Sequence, residues 1–455
     1  MNFKNLFEPE TMAVIGVSLR NINHPANVIF NKNNLRHPVR VFPVNHKGGL
    51  FRGEKIYRHV SEIPEKIDLA VIAVRAEYCP ETLKTCIDAG IGGAIVISGG
   101  FSETGSTDLQ EHMVEIAKEA DFPFIGPNCL GIYSPLKVDT FFLPSERMVR
   151  PESGSVAIIS QSGGVLVDQM VKFADEGVGL SLAMSIGNKA LIGELEMIEY
   201  LENDPKTKVI ALYVEGFGKN EGRQFVTTSS KCCKPIIVLK AGKSREGKRA
   251  VSSHTASLAG DYETFSSILS QYGLVEAKNE FEMVAFCESL SCYPMTVKDR
   301  IGIVTGSGGH GALAVDQCAS HGLIVPTLSE KAQHEIRKNL SQNIQGIASV
   351  ANPIDLTGSS VDDDFFTSVS YMSESPEIDC VIILLLPYQP GITSDLGARL
   401  SQIYLQSKKP LIAYVPHVEK YRMLIEGFEL NGIPVSQSIQ GTVHMVEAMR
   451  RSKSC

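Results

Sequence analysis

Val156-Ala157-Ile158-Ile159-Ser160-Gln161-Ser162-Gly163-Gly164 and Ile301-Gly302-Ile303-Val304-Thr305-Gly306-Ser307-Gly308-Gly309 follow one plan. Each is a short, nearly unbroken apolar run that ends in a Ser-Gly-Gly turn. Each then enters a helix-like stretch containing Val-Asp-Gln (Val167-Asp168-Gln169 and Val315-Asp316-Gln317). An apolar run without alternation suits a strand buried on both faces, as in a parallel sheet covered by helices. Further on, Lys234-Pro235-Ile236-Ile237-Val238 is echoed by Lys409-Pro410-Leu411-Ile412-Ala413. The matches come in the same order, though their spacings differ, so two blocks of one shared fold are expected.

Similar runs fill the rest of the chain, at 13–17, 41–44, 69–74, 94–97, 209–214, 235–239, 381–386 and 410–415. They alternate with helix-like stretches, which places the chain in the α/β class. Polar, proline-bearing segments at 144–154 and 293–300 precede new strands. They divide the chain into blocks 1–147, 148–295 and 296–455, and about three domains suit this length.

Composition excludes several classes. With 43 Lys+Arg against 51 Asp+Glu, the net charge of −8 argues against a nucleic-acid binder, though not against a local basic patch. The longest wholly apolar stretches are strand-sized, so no membrane span is expected. The first residues, Met1 to Leu6, show no secretory pattern. Ten scattered cysteines without a C-x-x-C suit reduced thiols in a cytoplasmic protein, and no metal site is expected.

Four features could carry chemistry. Val14-Ile15-Gly16-Val17-Ser18 is a strand entering a Gly/Ser turn. It lacks the full G-x-G-x-x-G, but a glycine there still admits a phosphate near a helix N-terminus. Pro43-Val44-Asn45-His46-Lys47, Ser98-Gly99-Gly100-Phe101 and Gly126 to Gly131 add further polar turns in the same block, and Lys47 adds a positive charge. The two Ser-Gly-Gly turns are the second feature. The freed N–H groups and the helix macrodipole make each an anion site, and two related turns could share one phosphate. The third is the stretch from Lys240 to Tyr262, where five cations (Lys240, Lys243, Arg245, Lys248, Arg249) precede His254 among small residues. A neutral imidazole there could accept a phosphoryl group. The fourth is Glu215, directly after the run 209–214, where a carboxylate could orient an imidazole. The third block has Pro387 near the corresponding place and no His loop. No Walker-A run is present, so a nucleotide that takes part in phosphoryl transfer is expected on another chain.

These residues, from end to end, resemble the alpha subunit of ADP-forming (NDP-forming) acetyl-CoA synthetase, in the succinyl-CoA synthetase superfamily. Besides the motifs above, the resemblance rests on Ala73-Val74 with Ala76-Glu77, Ser185-Ile186-Gly187-Asn188, Ser253 to Gly260, and Asn352-Pro353-Ile354-Asp355-Leu356. It implies an N-terminal CoA-binding Rossmann-like domain followed by two flavodoxin-like ligase domains. It implies coenzyme A contacts from Gly16, Ser18, Arg20, Pro43, Asn45, Lys47, Val74, Ser98, Gly99 and Asn128. It implies phosphate contacts from Ser160, Ser162, Gly163, Gly164, Gly308 and Gly309, a phosphohistidine at His254, and Glu215 as the residue orienting it. It further implies a partner beta subunit of ATP-grasp fold, in an alpha2beta2 assembly, holding ADP or ATP and Mg2+. Arg75 and His310 stand where the family commonly has proline. A non-catalytic CoA-binding module that regulates a partner protein is the alternative. A nicotinamide dehydrogenase is disfavoured by the incomplete glycine fingerprint.

Overall fold

The computed structural model describes residues 1–218, 220–252 and 261–452. The chain divides into two compact units, Met1–Lys278 and Asn279–Cys455. The first unit holds two sheets. One has five parallel strands in the spatial order Arg40–Val44, Thr11–Ile15, Leu69–Ile72, Ala94–Val96, Phe124–Ile125. The other runs Val275–Ala277, Ile236–Lys240, Val209–Val214, Ser153–Ser160, Leu180–Ser185, all parallel. Gly131–Ser134 and Val138–Asp139 extend its edge in antiparallel fashion. The second unit carries Ile354–Asp355, Ile301–Thr305, Cys380–Leu384, Leu411–Tyr414 and Val435–Ser436, again all parallel.

Numbered from its own first parallel strand, each sheet has the order 2-1-3-4-5. This is the flavodoxin-like winding, in which the strand order reverses between strands 1 and 3 and leaves a crevice at their carboxyl ends. The expected α/β class, the parallel sheets and the shared plan of the second and third blocks are therefore present. All ten apolar runs read from the sequence contain strands. Their side chains divide as two-sided burial requires. Met12 and Val14 face one apolar core, while Ala13 and Ile15 face another. The first of these cores continues through Ala157, Ile159 and Ile210, so both sheets of the first unit share it. Each fully buried Val, Leu or Ile contributes about 1.5–3 kcal/mol relative to exposure.

The structure also contains strands that the apolar runs did not announce. Phe124–Ile125, Ile354–Asp355 and Val435–Ser436 are only two residues long. Leu180–Ser185 interleaves serines with apolar residues. The hairpin strands Gly131–Ser134 and Val138–Asp139 belong to a sequence block before the second sheet, yet they hydrogen-bond into that sheet. Helix Glu280–Cys292 lies in the second unit, where the Val435 N–H donates to Glu288 Oε1 at 2.7 Å.

Both decisive turns open helices, Gly163–Asp175 and Gly308–Ser320, with Ser162 and Ser307 as the N-cap residues. A hydroxyl two residues earlier braces each turn. Ser162 N–H donates to Ser160 Oγ at 3.1 Å, and Ser160 Oγ–H donates to the Ser162 carbonyl at 2.7 Å. Thr305 repeats this with Ser307 at 3.1 and 3.3 Å. Among the described residues no helix is long and apolar enough to cross a membrane. The nine described cysteines form no disulfide with one another.

Candidate active site

The strand order of the first sheet reverses between Thr11–Ile15 and Leu69–Ile72, and a cleft of about 770 Å³ opens at the carboxyl ends of these strands. Ile15, Gly16, Val44, Asn45, Ala73 and Val74 form its floor, with Arg58, Arg75, Tyr78 and three histidines (His24, His46, His59) around them. Gly16 has φ +102°, and a Cβ there would lie 2.3 Å from the Ala73 carbonyl oxygen. Only glycine permits that approach of the two strand ends. Helix Pro25–Arg36 begins beside the cleft, with His24 as its N-cap accepting from the Ala26 N–H. Burial lowers the pKa of His24 below the usual imidazole value.

Of the ten residues expected to contact coenzyme A, Gly16, Asn45 and Val74 line this cleft. The Asn45 amide braces the neighbouring turns, donating to the Val17 carbonyl at 2.8 Å and accepting from the Lys47 N–H at 2.9 Å. Ser18 accepts from the Arg20 N–H at 3.3 Å, and the Arg20 side chain is exposed. Pro43 is buried within its strand. Ser98 Oγ donates to the Val74 carbonyl at 2.5 Å, and the Asn128 N–H donates to the Ser98 carbonyl at 2.8 Å. Ser98, Gly99 and Asn128 thus form one corner. Asn128 Nδ2 donates to Asn188 Oδ1 at 3.2 Å, and Asn188 in turn donates to Glu103 Oε2 at 2.5 Å. The Glu103 carboxylate accepts the Gly100 N–H at 2.6 Å. Burial raises the Glu103 pKa, and Asn188 and the turn N–H groups outweigh this, so the carboxyl titrates below its ordinary value. The exposed Arg75 guanidinium lies 3.7 Å from Glu77.

In the second sheet the reversal falls between Ser153–Ser160 and Val209–Val214. Glu215 and the Gly163 helix start stand at these adjacent strand ends. The turn carrying Glu215 is held from several elements at once. Gln161 Oε1 accepts both the Glu215 N–H (2.7 Å) and the Gly216 N–H (3.1 Å), and its Nε2 donates to the Gly216 carbonyl (2.9 Å) and to Glu194. Lys240 Nζ donates to the Glu215 carbonyl at 2.7 Å. Lys189 Nζ reaches the Gly216 carbonyl (3.4 Å), Glu194 (3.2 Å) and Glu221 (2.8 Å). The Tyr213 hydroxyl hydrogen-bonds the Glu215 carboxylate. Burial, and then that neighbouring charge, push the phenol up to about 12. Burial pulls the Lys240 ammonium down to about 8 against the attraction of Glu215. Burial also raises Glu194, opposed by Lys189 and Gln161.

Ser162, Gly163 and Gly164 sit at the mouth of their helix, and a Cβ on Gly164 would meet open space. Ser160 is fully buried, with its hydroxyl engaged by the turn. In the second unit, Gly308 and Gly309 are exposed. A Cβ on Gly308 would come within 2.8 Å of Asp355 Oδ2, so a carboxylate already faces this helix start. His310 Nδ1 lies 3.1 Å from Ser307 Oγ. His254 lies outside the described residues. Gln161, Lys189, Glu194 and Asp355 are neighbours of these candidate residues that the sequence did not mark out. Their signal was weak: a glutamine between two serines, and lone charges far along the chain.

Residues 10–135 match the family model of a CoA binding domain, and residues 153–290 that of the succinyl-CoA ligase like flavodoxin domain. The chain is 34% identical over 445 residues to the alpha subunit of acetate–CoA ligase (ADP-forming) II of Pyrococcus furiosus, covering 94% of this chain and 93% of that one. It is 34% identical over 389 residues to acetate–CoA ligase (ADP-forming) I of Archaeoglobus fulgidus, where the match takes in 84% of this chain but 55% of the relative. It resembles the structure of dinucleotide-forming acetyl-coenzyme A synthetase 1 of Ca. Korarchaeum cryptofilum, in complex with phosphate and ADP. There the TM-score is 0.86 and the identity 28%, over 99% of this chain and 96% of that one. With its two matched domains and near-complete overlap with a subunit of this kind, the chain belongs to the ADP-forming acetate–CoA ligase family, as an alpha subunit.

Proposed function

We propose that this chain is the alpha half of an acyl-CoA synthetase that interconverts acyl-CoA, ADP and phosphate with acid, CoA and ATP. The acyl-CoA lies along the first sheet, with its phosphates toward the Gly16 turn and the start of helix Pro25–Arg36, where the macrodipole favours anions. Phosphate, bound at the Ser162–Gly164 helix start, attacks the thioester carbonyl. The C–S bond breaks, CoA leaves as the thiol, and an acyl phosphate forms. The imidazole of His254 then attacks phosphorus, and the carboxylate departs. Glu215 accepts a hydrogen bond from the other imidazole nitrogen and stabilises the positive charge that develops on the ring. The phosphohistidine passes its phosphoryl group to ADP on the partner chain. Mg2+ there would screen the nucleotide's charge.

The observation that carries this reading is the clamped Glu215 turn. Gln161, Lys189 and Lys240 fix the backbone of one carboxylate-bearing turn at a switch point, beside a helix start open to an anion. That is costly preorganisation for a surface loop and apt for a catalytic one. The Pyrococcus relative is named a subunit, which supports a separate partner chain. An ATP-grasp fold for that partner, an alpha2beta2 assembly, a cytoplasmic location and a division of the chain into three domains belong to the same proposal. Acetate is the default acyl group. The test is a panel of acyl-CoA thioesters given to this chain with its co-purified partner, scored by ATP formation from ADP and phosphate. ATP should form only with both chains present. ATP formation by this chain alone would refute the placement of the nucleotide site.

A further inference from the structure

We infer that the second unit carries a divalent transition-metal site formed by His321, His444 and Glu447. Their potential ligand atoms all lie within 4.8 Å of one another. His444 and Glu447 are three apart on helix Ile439–Arg451 and so share one face of it. His321 is the C-cap residue of helix Gly308–Ser320. His321 Nδ1 stands 2.8 Å from Glu447 Oε2, and His444 Nδ1 stands 3.7 Å from the same oxygen.

Three observations point to a ligand rather than to a plain ion pair. The His444 side chain is only 6% exposed, and its buried Nδ1 faces Glu447 Oε2 at 3.7 Å, attracted to it but beyond hydrogen-bond distance. Such a group costs about 1–3 kcal/mol unless something satisfies it. The two imidazole rings meet edge-on, with centroids 5.0 Å apart at 89°. Two imidazoles on one tetrahedral centre, with metal–nitrogen bonds of about 2 Å, have centroids about 5 Å apart. The site also lies at the carboxyl end of helix Gly308–Ser320, where the macrodipole favours a cation.

Two nitrogens and one carboxylate suit Zn2+ or a similar borderline ion, and not Ca2+ or Mg2+, which take oxygen ligands. Glu447 Oε2 is the coordinating oxygen, because Arg451 holds Oε1 and thereby fixes the carboxylate's orientation. Arg450 donates to the carbonyls of His321 and Gly322, and the edge of Phe286 covers His444. His321 is 22% exposed, which leaves a fourth position open to water. On binding, the metal replaces any proton on the two Nδ1 atoms, and each neutral ring keeps its proton on Nε2. The ion would tie helix Gly308–Ser320, whose other end is the Ser307–Gly309 turn, to helix Ile439–Arg451. The site is independent of the proposed reaction.

The test is titration of the full-length, metal-stripped chain with Co2+, followed by visible absorption and thermal melting. One equivalent should give the bands of a four-coordinate nitrogen/oxygen site without thiolate charge transfer, raise the melting temperature by several degrees, and be displaced by Zn2+. His444→Ala should weaken binding at least a hundredfold, and so should His321→Ala, whose partly exposed side chain is removable without unfolding. Absence of the bands would overturn the site. So would binding undiminished in both variants, or spectra dominated by cysteine ligands.

Discussion

Glu215 is positioned through its backbone, with its N–H on Gln161 and its carbonyl on Lys240. A substitution that keeps the shape of its side chain should therefore leave the fold alone and report on charge. Glu215→Gln is expected to slow phosphoryl labelling of the chain at least tenfold while CoA affinity stays unchanged. Labelling at the wild-type rate would make Glu215 a structural residue. Gln161→Leu tests the clamp itself. It strands the Glu215 and Gly216 N–H groups, at about 1–3 kcal/mol for each, and leaves the buried Glu194 with Lys189 as its remaining partner. A lower melting temperature and slower labelling, again with intact CoA affinity, are expected. An unchanged melting curve would contradict the clamp. The place of Glu215 at a strand end was legible in the sequence because a carboxylate directly after an apolar run is conspicuous. Gln161 was not, because its partners at 194 and 216 are remote in sequence. Asp355 lies within the motif Asn352-Pro353-Ile354-Asp355-Leu356. That it faces Gly308 depends on strand pairing that no local pattern reveals.

At the scale of elements, the unit that recurs is a buried strand, a tight turn and a helix. Its ten apolar strands were readable because burial on both faces removes polar residues from the run. The two-residue strands were not, since so short a segment shows no period. The edge strand Gly131–Ser134 was hidden because it serves a sheet that its sequence neighbours do not join. In the first sheet the turn depends on Gly16. Gly16→Ala combines a left-handed φ of +102° with a Cβ 2.3 Å from the Ala73 oxygen. Over-packing and strain of this kind cost about 1–3 kcal/mol each. Chemical denaturation should show a loss of that order, and calorimetry should show weakened CoA binding with the turn displaced. Wild-type stability and affinity together would mean that the cleft is not where the CoA phosphates approach. The ten coenzyme A residues implied by resemblance divide at this scale as well. Three line the cleft, while Ser98, Gly99 and Asn128 build a neighbouring corner tied to Asn188.

At the scale of the whole molecule, one winding is used three times, and the chain's net charge of −8 conceals five cations between Lys240 and Arg249. The doubled Ser-Gly-Gly turn made the second and third sheets legible as relatives. The division into Met1–Lys278 and Asn279–Cys455 was not legible, because helix Glu280–Cys292 follows the second sheet in sequence but belongs to the later unit. In the proposed mechanism this molecule carries a phosphoryl group on His254 between an acyl phosphate and a nucleotide bound elsewhere. The most direct measurement is incubation of the chain with labelled phosphate and acetyl-CoA, followed by acid and alkali treatment of the isolated protein. One acid-labile, alkali-stable phosphoryl group per chain is expected, absent from His254→Ala. Label that persists in His254→Ala would contradict it.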